Sequence, residues 1–278
     1  MEKVRILTLN LWGEQPPLAR RMELIAAGIQ RLAPDVIALQ EVRSIEGALR
    51  NQAETLAARF GFHWVWAPAT PWGGGEEGLA ILSALPIAHH ASRELPHATP
   101  MERRLVLGAA VTTPLGELAV FTTHLNYRLT DGLKREDQVA AIDAFVADWA
   151  AERSSPLPRL LVGDFNAPPD FDEIRFLRGR HTHAGRRTYW RDAWESRGDG
   201  SADGSGFTWA RRNVFTERLH WLDRDRRIDY VFVSPLTRDG RGEVTECRVV
   251  LDEPDSDGCF ASDHFGLLAE VRLAASIG

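Results

Sequence analysis

Cysteine is almost missing from this chain: Cys247 and Cys259 are the only two in 278 residues. That excludes a disulfide framework, and their spacing offers no metal-binding cysteine motif, so a reducing compartment is expected. No apolar run approaches the roughly 20 residues that span a bilayer. No basic segment followed by an apolar one opens the chain. The expectation is a soluble, unexported, cytoplasmic protein. Excess positive charge is lacking as well. The formal net charge is −6 at pH 7, which does not mark an overtly basic nucleic-acid binder. No internal repeat occurs. The glycines around Trp72–Gly78 lack nucleotide-loop spacing, and the Asp-rich stretch Gly198–Gly206, linker-like in composition, has no glutamate at the twelfth position of a calcium loop.

What is present begins with length and patterning. A chain of 278 residues can bury a substantial core. Residues 159–166, Arg-Leu-Leu-Val-Gly-Asp-Phe-Asn, read as a short buried strand bounded by Pro158 and Gly163. It delivers Asp164 and Asn166, two apart and so on one side of extended backbone, though both are also ordinary turn residues. Val4–Asn10 and Asp35–Glu41 read as strands ending in Asn10 and Glu41. Residues 104–113 and 117–123 form a hairpin around Pro114-Leu115-Gly116 that ends near His124 and Asn126. Residues 227–233 start near Asp229; 243–251 and 265–271 are further strands, the last preceded by Asp263 and His264. Helical spacing of apolar residues predicts helices over 18–33, 46–60 and 134–150, with Gln138 either at the surface or supporting a site. Residues 63–68 read as extended and 72–78 as a flexible loop.

Charge is unevenly distributed. Between Phe171 and Arg227 there are 13 arginines and 9 acidic residues, whereas the rest of the chain has 20 basic and 30 acidic ones. Tyr189, Trp190, Trp194, Phe207, Trp209, Phe215 and Trp221 are interleaved with those arginines. This suits contacts to phosphates and bases, and equally an insertion with aromatics inside and arginines wet. The chain is expected to be one domain, 1–278, with a basic, aromatic-rich, irregular insertion at about 171–226.

Six strands thus present carboxylates, amides or histidines at an end. That inventory suits a hard divalent cation, Mg²⁺ or Mn²⁺, together with acid–base chemistry. The motifs N-L-W at Asn10, L-Q-E at Glu41, T-H-L-N at His124, G-D-F-N at Asp164, R-I-D-Y-V at Asp229 and S-D-H at Asp263 stand in the order of the endonuclease/exonuclease/phosphatase superfamily. The chain resembles that group from Asn10 to about Val271. The resemblance implies an α/β four-layer sandwich of two mixed β-sheets flanked by helices, and a metal-dependent phosphoester hydrolase. It implies Glu41 as the principal metal ligand with Asn10 and Asp263 close by. It further implies Asp164 as the group activating water, Asn166 as a donor to phosphate, His264 held by Asp229, and His124 as a second phosphate-facing histidine. Glu77 is the candidate carboxylate partner of His124. Asn126, Arg104, Arg211 and Arg212 are candidate substrate contacts. The sequence departs from the W-x-G-D and W-C-D-R stretches of inositol 5-phosphatases, and nucleic acid is the favoured substrate. A phospholipid headgroup or small phosphorylated metabolite is the alternative, and a catalytically silent binding module is the remote one.

Overall fold

The computed structural model describes residues 1–198, 205–219 and 225–275. The expected linker at Gly198–Gly206 and the aromatic Trp221 lie largely or wholly outside them. In chain order the elements are β1 (Lys3–Asn10), α1 (Leu18–Leu32), β2 (Val36–Ser44), α2 (Gln52–Phe60), β3 (His63–Trp72), β4 (Gly75–Ser83), β5 (Ile87–Glu94), β6 (Leu105–Thr113) and β7 (Gly116–His124). After these come α3 (Gly132–Glu152), β8 (Leu160–Asp164), α4 (Asp172–Leu177), β9 (Arg191–Asp192), α5 (Ala193–Arg197), β10 (Asp229–Val233), β11 (Val244–Val250) and β12 (Gly266–Arg272).

The strands form two six-stranded sheets, ordered β11-β12-β1-β2-β4-β3 and β5-β6-β7-β8-β10-β9. Each is mixed, because β1 runs parallel to β2 and β7 parallel to β8 while their other neighbours are antiparallel. The central strands are covered on both faces, which is why they read as nearly continuous aliphatic runs. Between the sheets, Ile6, Val36 and Ile81 meet Leu107, Val120, Val162 and Val231. Outside the first sheet, Ile25, Ile29 and Leu56 of α1 and α2 pack on Leu7, Leu9 and Leu39. Outside the second, Val139, Ile142 and Phe145 of α3 pack with Phe121, Leu161 and Phe232. Each such side chain contributes about 1.5–3 kcal/mol by leaving water. The result is the expected four-layer sandwich.

Some local expectations are corrected. Residues 72–78 are not a flexible loop. They form the tip of the β3–β4 hairpin, with Trp72 paired to Gly75 and both turn residues, Gly73 and Gly74, at positive φ. That conformation matches the twist of the flanking strands and favours glycine. The helix expected from residue 46 starts only at Gln52, because Asn51 caps it by accepting from the amides of Ala53 and Glu54. β5 escaped the sequence reading: I-A-H-H-A-S-R-E is an edge strand, open along much of one face and short of apolar residues. The segment 171–226 is not wholly irregular either, since it contains α4, β9, α5 and a short 3-10 turn, Val214–Leu219. Among the described residues no helix is long and apolar enough to cross a membrane.

Candidate active site

The ends of β1, β7, β8 and β10, the middle of β2 and the loop before β12 converge on one cleft of about 650 Å³. Register explains much of this. Asp229, first residue of β10, is paired with Asp164, last residue of β8, and His124 at the end of β7 is paired with Asp164 from the other side. The β7–β8 contact is close because residue 163 is glycine. A Cβ there would stand 2.1 Å from the Thr123 carbonyl oxygen, and its φ is +135°. Gln40 ties the two sheets beneath the site, donating to Thr8 Oγ1 at 3.1 Å and Thr122 Oγ1 at 3.0 Å.

Glu41 is not at a strand end, as expected, but within β2, where an extra residue between Leu39 and Val42 makes a bulge opposite β4. Its φ is +52°, a left-handed conformation that glutamate rarely adopts, and Asn166 shares it at the same value. Such residues store about 1–3 kcal/mol of strain each and concentrate at functional sites. Here the bulge aims the Glu41 carboxylate into the cleft rather than along the sheet.

Hydrogen bonds join the cluster. Asn10 Nδ2 donates to Glu41 Oε1 at 3.0 Å and to Asp164 Oδ2 at 3.1 Å, and the Trp12 amide donates to Asn10 Oδ1. The Asn166 amide nitrogen donates to Asp164 Oδ1 at 2.9 Å. Asn166 Nδ2 donates to the Leu125 carbonyl at 3.1 Å, so part of its expected donor capacity is used by backbone. His264 Nδ1 lies 2.9 Å from Asp229 Oδ2, while its Nε2 points back to Asp164 Oδ2 at 3.8 Å. Asp229 Oδ1 is buried with no hydrogen-bond partner among the described residues. Asp164, Asp229 and His264 are all buried and bring ligand-type atoms within 4.8 Å of one another.

Electrostatics separate the roles these groups can take. Burial, reinforced by the neighbouring Asp229 charge, pushes the Asp164 carboxyl up to about 7. Burial opposes a charged imidazole at His264, yet Asp229, Asp164 and Asp263 together hold it well above the ordinary histidine value. His124 goes the other way, well below the ordinary value, because it is buried and faces Arg104 and His264. The expected pairing of His124 with the Glu77 carboxylate is not seen. Its acidic neighbour is Asp164, 3.4 Å away, and among the described residues no hydrogen bond or ion pair joins it to Glu77. Glu77 lines the same cleft from β4, with its carboxyl raised to about 7 by burial and by the charge of Glu41.

The donor chemistry fits a hard cation. Burial and the charge of Glu41 also raise Asp263, to about 6, so oxygen donors crowd together around Glu41 with no sulfur among them. His264, held cationic by Asp229, is unsuited to be a ligand. Glu41 and Asp263 offer carboxylate oxygens to such an ion in the same cleft, with the Asn10 amide donating to Glu41.

Other expected contacts divide. Asn126 lines the cleft and is fixed by Gln138, whose Nε2 donates to Asn126 Oδ1 at 2.7 Å; Gln138 is buried support, not surface. Arg104 lines the cleft beside Glu102. Arg211 and Arg212 do not. Arg211 is held by Asp225 and Arg212 by Asp252, and Arg212 lies over the Phe265 ring. The cleft instead receives Arg226, stacked over Trp209, and Arg128, stacked over Tyr127. Sequence reading also missed Arg21. This fully buried arginine of α1 donates to the carbonyls of Leu11, Gly13 and Ala261 and so gathers the loops after β1 and before Asp263. Only its position on the helix face shared by Leu18 and Ile25 hinted at it.

Two mixed sheets in four layers, with this cluster at one edge, define a deoxyribonuclease-I-like protein. Residues 7–264 match the Endonuclease/Exonuclease/phosphatase family, and the chain belongs to it. Members are in general phosphoester hydrolases that use divalent metals. The uncharacterized protein YbhP of Escherichia coli K12 is 26% identical over 175 residues, covering 58% of this chain and 66% of the relative, just under two thirds of its length. A family protein from Leptotrichia buccalis superposes with a TM-score of 0.71 at 18% identity, covering 98% of this chain and 99% of its own. Truncated Caenorhabditis elegans TDP2 does so with a TM-score of 0.71 at 19% identity, covering 97% and 98%. At these identities the likeness is one of fold.

Proposed function

We propose that this chain is a Mg²⁺- or Mn²⁺-dependent phosphodiester hydrolase whose substrate is nucleic acid. The observation that carries the chemistry is the Asp229–His264 pair facing Asp164, which is itself held by Asn10 against Glu41. Asp164, near 7, takes the proton of the attacking water, and Asn10 and the Asn166 amide keep its carboxylate in place. His264, kept cationic by Asp229, donates from Nε2 to a phosphate oxygen as charge builds there. His124 stays neutral and accepts or donates one hydrogen bond at the same centre. Asn126, Arg104 and the remaining donor capacity of Asn166 meet other phosphate oxygens. Glu41 and Asp263 would hold the divalent ion, which when bound would supply Lewis-acid stabilisation of that charge.

Nucleic acid is supported by the cleft lining, which includes Arg104, Arg128 and Arg226 together with Trp12, Trp72 and Tyr127. The cytoplasmic reading is supported by how little cysteine the chain has, two residues in 278. A second reading, the same chemistry on a phospholipid headgroup, is favoured by Met101, 71% exposed at the cleft rim. A parallel hydrolysis assay on single-stranded DNA, RNA, sphingomyelin and small phosphoesters, with metal or chelator, tests both. Chelator-sensitive cleavage of the polymers is the expected result, and turnover confined to lipid overturns the substrate choice.

A further inference from the structure

Away from the reacting groups, three histidines and three acids from separate segments meet on the outer side of α3. His181 Nε2 and His183 Nδ1 lie 3.2 and 3.1 Å from one oxygen, Glu136 Oε2. Each histidine also has an acid near its other nitrogen. His183 Nε2 is 2.7 Å from Asp137 Oδ1, and His181 Nδ1 is 3.8 Å from Asp172 Oδ1. The second oxygen of Asp137 takes His97 Nε2 at 2.7 Å.

We propose that His181, His183 and Glu136 form a site for a transition-metal ion of the Zn²⁺ class, a role beyond the hydrolytic reading. Two imidazole nitrogens and a carboxylate oxygen are the donors such ions take, with water completing the sphere. Ligand atoms about 2.1 Å from a tetrahedral zinc stand about 3.4 Å apart, so both histidine–glutamate spacings are already close to those of a coordination sphere. The outer carboxylates are the second argument. An imidazole that binds a metal through one nitrogen donates from the other to a carboxylate, which fixes its ring, and Asp137 stands in that position for His183.

The loop is built to present these residues. His183 and Arg186 exchange both backbone hydrogen bonds across a tight turn in which Ala184 and Gly185 have positive φ. The His183 ring also stands edge-on to buried Phe176. The two ring nitrogens do not yet share one sphere with the glutamate oxygen. Binding the ion therefore requires the His181 ring to turn toward His183. An ion here ties the loop at 178–190 to α3 and, through Asp137 and His97, to the segment that lines the cleft.

The test is titration of the full chain with Zn²⁺ by calorimetry and with Co²⁺ by visible absorption, for wild type, Glu41→Gln, His181→Ala and Asp137→Asn. Heat-unfolding curves establish that each variant is folded. We expect tetrahedral Co²⁺ bands amounting to one equivalent in wild type and the same bands in Glu41→Gln, apart from any ion the Glu41 site takes. His181→Ala should lose at least tenfold in affinity, and Asp137→Asn about 10–100-fold. Equal binding by wild type and His181→Ala, or binding lost only in Glu41→Gln, overturns the proposal. No binding by wild type does so too, and leaves the cluster as a network of ion pairs.

Discussion

His264 Nδ1 lies 2.9 Å from Asp229 Oδ2, and the pair is buried at the floor of the cleft. The consequence is a histidine whose charge outlasts neutrality. Its folded pKa is raised above the unfolded value, so its contribution to stability is complete below about 6.5 and is lost as pH rises through the folded value. Activity that needs the imidazolium falls over that same alkaline range. Asp229→Asn should lower kcat about 10²-fold or more and move the alkaline limb of the pH–rate profile to lower pH. An unmoved limb would detach His264 from that titration.

Asp164 carries the opposite strain. Its folded pKa, about 7, is above its unfolded value, so burying it disfavours the folded state increasingly as pH rises from about 4 to 7. Asp164→Asn should therefore raise the melting temperature at pH 7 in chelator by a few degrees while abolishing hydrolysis. A lower melting temperature would show that the Asn10 and Asn166 bonds outweigh the cost of the buried charge.

The loop carrying Asn126 rests on a buried ion pair. Arg135 Nε donates to Glu173 at 2.5 Å, and its Nη1 donates to the carbonyls of Asn126 and Arg128. Glu173→Ala leaves the arginine buried without its partner and should cost about 3–5 kcal/mol in urea unfolding. A loss below 1 kcal/mol would mean that water replaces the glutamate.

Arginines should differ by what they face. Arg104→Ala and Arg128→Ala, at the cleft, should weaken binding of a single-stranded oligonucleotide and reduce the salt slope by about 1 each. Arg211→Ala and Arg212→Ala, held by Asp225 and Asp252, should leave the slope unchanged. The reverse pattern would return the basic segment to substrate binding.

That contrast shows what could be read from sequence and what could not. Asn10, Asp164, Asp229 and His264 were legible because a polar residue at either end of an aliphatic run declares both the strand's burial and its tip. Glu41 was legible as an acid near such a run, but its bulge was not. A positive φ at glutamate is imposed by pairing with β4, a contact distant in sequence. Arg211 and Arg212 looked like phosphate contacts only while their partners were unknown. Residue 252 lies 40 positions beyond Arg212, and no local pattern announces that pair. The wrong partner for His124 has the same origin. Asp164 reaches it through the parallel β7–β8 register, while Glu77, its candidate from motif similarity, sits on the other sheet.

The central claim is most directly tested by single-turnover cleavage of a phosphodiester oligonucleotide at pH 7, with Mg²⁺ or Mn²⁺ and with chelator, for wild type, Asp164→Asn and His264→Ala. The account predicts cleavage by wild type that chelator abolishes, with each substitution slowing the chemical step about 10²–10⁴-fold. Cleavage that persists in chelator, or at wild-type rate in either variant, would contradict it.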